Sequence, residues 1–144
     1  MVYEIENEYM KVGAETLGAQ PTTITRKDGN IEHLWQGDAK YWKGRSPHIF
    51  PVVGRLYEGK YEYDGKLYAL NIHGFARNTE FTLVEKTADG FRNFRNRRND
   101  GNLPVRFYFQ SKVRAYRKHF DYDLYRGEHG QKRNVFRSRR AYGL

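Results

Sequence analysis

Residues 60–72 read KYEYDGKLYALNI. Lys60-Tyr61-Glu62-Tyr63 alternates into Asp64-Gly65, and Lys66 to Ile72 leads out of it. An Asp-Gly pair supplies the positive φ angles that a tight hairpin turn requires. A period of two residues turns one face of each strand to a core and the other to water. The stretch therefore predicts two antiparallel strands, and the same signature recurs on both sides of it.

Asp28-Gly29 is flanked by Thr22-Thr23-Ile24-Thr25 and by Ile31-Glu32-His33-Leu34-Trp35, a second predicted hairpin. Asp89-Gly90 follows the alternating run Glu80-Phe81-Thr82-Leu83-Val84-Glu85, and Val2-Tyr3-Glu4-Ile5 alternates likewise. No long segment has a period of 3.6 residues, so the expected fold class is all-β. Residues 37–55, GDAKYWKGRSPHIFPVVGR, read differently. Pro47 and Pro51 forbid a central strand. A long aromatic loop of this kind either caps a core or lines a site.

Charge divides the chain near Gly90. Residues 1–90 carry 11 Lys+Arg against 13 Asp+Glu, whereas residues 91–144 carry 15 against 4, and 12 of those 15 are Arg. The second part has no Ile, Thr, Met or Trp. The formal net charge of +9 thus comes wholly from the back. Such a charge ordinarily points to nucleic acid. The runs FRNFRNRRN (91–99) and RNVFRSRR (133–140) interleave Arg with aromatics, as a binder of single strands would. The plainer reading is a solvated basic tail. The absence of cysteine removes any disulfide framework and fits a reducing cytoplasm. No apolar run approaches a membrane span, and the N-terminus lacks a signal-peptide core, so no membrane partner is expected.

Few residues carry chemistry. His73 ends a predicted strand and is followed by Gly74, a placement that presents an imidazole while the backbone turns away. A lone histidine is more often structural. Arg55 offers a fork of donors at the end of the Pro loop, although a surface ion pair is the commoner fate of an arginine. Trp35 and Trp42 have the faces to stack on a sugar ring, although core packing is the commoner role for each. His33, His48, His73, His119 and His129 lack the spacing of a zinc site. P-loop, dinucleotide and Gly-x-Ser-x-Gly patterns are absent from the sequence.

The ordered string W-x-G-D-x-x-Y-W-x-G-R-x-P-x-x-F-P-V-V-G-R-L (35–56), followed by H-G-F-A-R (73–77), resembles the aldose 1-epimerase (galactose mutarotase) family, in particular its LacX-like branch. NEYMKV (7–12) and TLGAQ (16–20) fit the same pattern, and the resemblance covers residues 1–90. It implies a galactose mutarotase-like β-sandwich that interconverts the anomers of a free aldose without metal or cofactor. In that chemistry a carboxylate takes the anomeric proton and a histidine protonates the ring oxygen. By resemblance, Arg55 matches a substrate-binding arginine, His73 the first active-site histidine that contacts the sugar, and Arg77 belongs to the same motif. The family's second histidine and its glutamate base find no counterpart here.

After Gly90 the resemblance stops. The expected organisation is a partial sandwich over 1–90, followed by a basic, poorly ordered segment over 91–144. Read one base out of phase, residues 103–115, LPVRFYFQSKVRA, permit YPFDFTFKVKYE, which alternates as a strand should and resembles the family at that place. FRNFRN (91–96) permits FVIFVT in the same way. A one-base change of frame near the codon for Phe91 is therefore expected, and with it an inactive chain. The nucleotide sequence across codons 85–145 tests this; a shifted frame closed by stops sinks it. The alternatives are a non-catalytic carbohydrate-binding module, or a nucleic-acid binder acting through 91–144.

Overall fold

A computed structural model describes the backbone of residues 1–88, 90–98, 107–128 and 136–143, and the side chains of 1–88, 90 and 110–121. The described backbone is strands, loops and short 3-10 turns. Four strands, β1 (Val2–Glu6), β2 (Met10–Glu15), β3 (Pro21–Arg26) and β4 (Ile31–Glu32), form one antiparallel sheet in sequence order. The hairpin β5 (Lys60–Tyr63) and β6 (Lys66–Ala69) stands by itself. The meander β7 (Thr82–Lys86), β8 (Gly90–Arg98), β9 (Phe107–Tyr116), β10 (His119–Glu128) and β11 (Phe136–Gly143) makes a five-stranded sheet. Among the described residues no helix is long and apolar enough to cross a membrane.

Alternation accounts for how the two larger sheets meet. β2 turns Met10, Val12 and Ala14 inward, with Ile5 beside them on β1 and Ile24 on β3. The other sheet contributes Val113, Ala115 and Phe120, and all of these join one buried cluster with Ala19, Ala76 and Phe81. Asn7 ties the layers together at one end. Its Oδ1 accepts from the backbone N–H groups of Tyr9 (2.8 Å) and Met10 (2.9 Å). Its Nδ2 donates to the carbonyls of Ala115 (3.3 Å) and Arg117 (3.0 Å), at the β9–β10 turn. A single amide thus closes the β1–β2 turn and fastens it to the opposite sheet.

The hairpin of residues 60–72 forms around Asp64-Gly65, whose φ angles are +50° and +70°. It is shorter than its pattern, because β6 ends at Ala69. Tyr61 and Tyr68 stack across it with centroids 5.4 Å apart, while Leu67 stays 71% exposed. The second hairpin also forms, with β4 reduced to two residues.

Residues 110–121 are the part of the basic C-terminal segment whose side chains are described. Ser111, Val113 and Ala115 are buried on β9, and the charged Lys112 and Arg114 point the other way. Small or apolar inward residues allow this span to pack whatever its outward charge. The side chains of the two Arg-rich runs, and of residues 103–109 within the re-phased segment 103–115, lie outside the described residues.

Candidate active site

Residues 33–56 contain no strand and run as a strap. The strap is sewn to the end of the β2–β3 connection and the start of β3. Arg45 Nη1 donates to the Thr22 carbonyl (3.3 Å), Ser46 Oγ to the Pro21 carbonyl (2.7 Å), and Gln20 Oε1 accepts from the Ser46 N–H (3.1 Å). His48 Nδ1 donates to the Gly18 carbonyl. The His48 imidazole is buried, and that burial pushes its pKa down to about 4. It is therefore a neutral, structural group at neutral pH.

Beyond His48 the strap meets the His73–Arg77 turn, and this junction builds the site. Phe50 forms a parallel bridge with Gly74, and its carbonyl accepts from the Phe75 N–H (2.9 Å). Gly74 has φ +71°, and a Cβ there would lie 1.9 Å from the Phe50 oxygen, so only glycine fits. Phe50 and Phe75 pack edge to face at 5.9 Å. Four residues along, Gly54 engages His73 twice. The His73 N–H donates to the Gly54 carbonyl (2.8 Å), and the Gly54 N–H donates to His73 Nδ1 (3.0 Å). His73 itself sits at φ +64°, a conformation that costs a non-glycine residue roughly 1–2 kcal/mol. Strain of this kind concentrates where a side chain must be held in one direction.

Arg55 follows Gly54 in the chain, so its backbone lies next to the Gly54–His73 contact. Arg55 is exposed, and among the described residues its guanidinium has no hydrogen bond or ion pair. Arg77 is employed differently. Its Nη2 donates to the Ile72 carbonyl (3.2 Å), and its backbone packs against Gly18, so it braces the turn on which His73 sits. Neither tryptophan takes the core role that is commoner for the type. Trp35 is 43% and Trp42 53% exposed, and Trp35 Nε1 donates to the Trp42 carbonyl (2.7 Å). They stiffen the far part of the strap, with Tyr41 edge-on to Trp35 at 6.4 Å. An open depression of about 630 Å³ lies elsewhere, along β1 with Lys11 and Lys86, and none of the predicted site residues lines it. Among the described residues no group of three His, Asp or Glu side chains is placed to hold a metal ion.

Sequence reasoning singled out Arg55 and His73 but passed over Gly54 and Phe50, which place them. A glycine immediately before the candidate arginine was the available signal.

The aldose 1-epimerase family model matches residues 1–116, and so runs past Gly90 into β9. The chain belongs to the aldose 1-epimerase family. The chromosomal LacX protein of Lactococcus lactis is 43% identical over 90 residues, which is 59% of this chain and 30% of LacX. The plasmid LacX of the same organism is 42% identical over 95 residues. Among solved structures, a galactose mutarotase related enzyme from Lactobacillus acidophilus superposes with a TM-score of 0.84 at 30% identity, covering 89% of this chain and 43% of that one. A galactose mutarotase-like protein from Lactobacillus casei, at 24% identity and a TM-score of 0.80, shares the fold. This aldose 1-epimerase family chain therefore spans less than half the length of the relatives it resembles.

Proposed function

We propose that this chain carries the sugar-holding part of a mutarotase site, with a free aldose as its ligand. The supporting observation is the double engagement of Gly54 with His73, at the residue that precedes Arg55 in the chain. Arg55 supplies a planar fork of donors to sugar hydroxyl oxygens, and His73 contacts the same sugar. Arg77 acts by holding the turn. Anomer interconversion needs in addition a carboxylate base and an acid, and neither is assigned to a residue of this chain.

The reading therefore separates binding from turnover. Galactose or glucose binds weakly at Arg55 and His73, while the chain by itself accelerates mutarotation little. Polarimetry of freshly dissolved α-galactose and α-glucose measures the second part, and intrinsic fluorescence or NMR titration the first. Mutarotation well above the buffer rate that His73→Ala abolishes would show that the chain is a complete catalyst. Sugar binding that survives both Arg55→Ala and His73→Ala would remove the site.

A further inference from the structure

We infer that the Gly54 amide fixes the tautomer of His73, so that the imidazole faces its ligand as a hydrogen-bond donor through Nε2–H and cannot serve as a proton acceptor. The inference rests on the sugar site proposed above for what the ligand is, and on geometry alone for the tautomer.

A neutral imidazole has one N–H donor and one acceptor nitrogen. The Gly54 N–H points at His73 Nδ1 from 3.0 Å, and a donor can meet only the nitrogen that carries the lone pair. The single ring proton must then reside on Nε2. The Gly54 amide has little freedom to turn away. The carbonyl on the other side of the Gly54 Cα accepts from the His73 N–H at 2.8 Å, and the left-handed φ of +85° at Gly54 suits that double contact. Four residues earlier the Phe50 carbonyl clamps the Phe75 N–H at 2.9 Å, which holds the register of the two segments. The ring is thus held by a rigid backbone group, as metal-bound histidines are held by a partner on their second nitrogen.

The chemical consequence is selective. A fixed Nε2–H recognises an oxygen lone pair, as on a hydroxyl or ring ether of a neutral sugar, and has nothing to offer a group that can only donate. His73 is then a ligand-holding donor, and any general base of the reaction has to be another group. Gly54 is a positioning residue, since it acts only through His73.

The test uses the full chain labelled with 15N at histidine. Long-range 1H–15N correlation at a pH where imidazoles are neutral distinguishes the two tautomers, and the His73 signals are identified by their loss in His73→Asn. The expected result is one histidine of pure Nε2–H form that disappears in the variant. An Nδ1–H form, or a rapidly exchanging mixture such as a free imidazole gives, overturns the inference whether or not a sugar binds. Asn tolerates positive φ and its Oδ1 can still accept from the Gly54 N–H, so His73→Asn keeps the junction while removing the Nε2–H. Its galactose affinity should fall about tenfold, as the loss of one ligand hydrogen bond implies. A pure Nε2–H form in a chain that galactose does not perturb would leave the tautomer standing and remove the sugar reading instead. Unchanged galactose affinity in His73→Asn would overturn the donor role.

Discussion

The strap of residues 33–56 and the β9–β10 hairpin of residues 107–128 solve the problem of order differently. The strap has almost no regular structure and four of its larger apolar side chains, Trp35, Tyr41, Trp42 and Val53, are substantially exposed. It is held by discrete hydrogen bonds to Gly18, Gln20, Pro21, Thr22, Gly54–His73 and Phe50–Phe75. The hairpin carries five Lys or Arg against three Asp or Glu, and Val113, Ala115 and Phe120 are buried in the same cluster as Met10 and Val12, with Ser111 buried on the same strand. Packing is non-directional and tolerates charge on the far face, whereas a hydrogen-bonded strap depends on a few atoms. The candidate residues lie where the strap meets the His73–Arg77 turn, and geometry there is set atom by atom.

Substitutions can break that contrast. The largest effect is expected from Phe120→Ala, which removes a ring that is 1% exposed and should cost about 3–5 kcal/mol in chemical denaturation. An unchanged denaturation midpoint would mean that residues 110–121 do not share a core with the first sheet. Gly74→Ala puts a methyl group 1.9 Å from the Phe50 carbonyl at φ +71°, so roughly 3 kcal/mol should be lost. Because the damage lies in the strap junction, susceptibility of residues 37–55 to proteolysis should rise more than that of β9; equal sensitivity would erase the distinction between the two regions.

His48 sharpens the comparison through pH. The folded pKa of about 4 lies below the ordinary 6.5, so the unfolded chain takes up the proton first as pH falls. The stabilisation is full above about 6.5 and is lost on acidification toward about 4, with a total on the order of 3 kcal/mol. Denaturation midpoints measured across that window should fall in the wild type and stay nearly flat in His48→Gln; parallel curves would place the pH sensitivity elsewhere. The smallest effect belongs to Arg114→Ala. Its ion pair with Asp121 is 4.0 Å long and partly exposed, so less than about 1 kcal/mol should be lost. A larger loss would make the outward face of β9 more than a solvated surface.

The turn chemistry of this chain was readable residue by residue. Asp64-Gly65 marked its hairpin and Asp28-Gly29 the next one, because positive φ is a local demand that only a few residue types meet. The ends of strands were less readable: nothing in LYALNI announces that pairing stops at Ala69, since that depends on where the partner strand turns away. The ordered string from Trp35 to Arg77 was enough to reveal the aldose 1-epimerase family, and the family model extends that likeness to residue 116. The charge balance of residues 91–144 does not tell which side chains of 110–121 turn inward. It counts the outward Lys112 and Arg114 as heavily as the inward Val113, and only the period of two separates them.

What the sequence determined by itself was the local grammar: strands by alternation, turns by Asp-Gly, a strandless strap by Pro47 and Pro51, and the candidate pair Arg55 and His73. What only the tertiary structure decided was how the segment that carries Arg55 meets His73 and which nitrogen of His73 is engaged. Arg55 and His73 stand 18 residues apart in the chain, and the link between the two segments is a main-chain N–H of Gly54, a group that every residue but proline possesses and that no side-chain pattern can reveal.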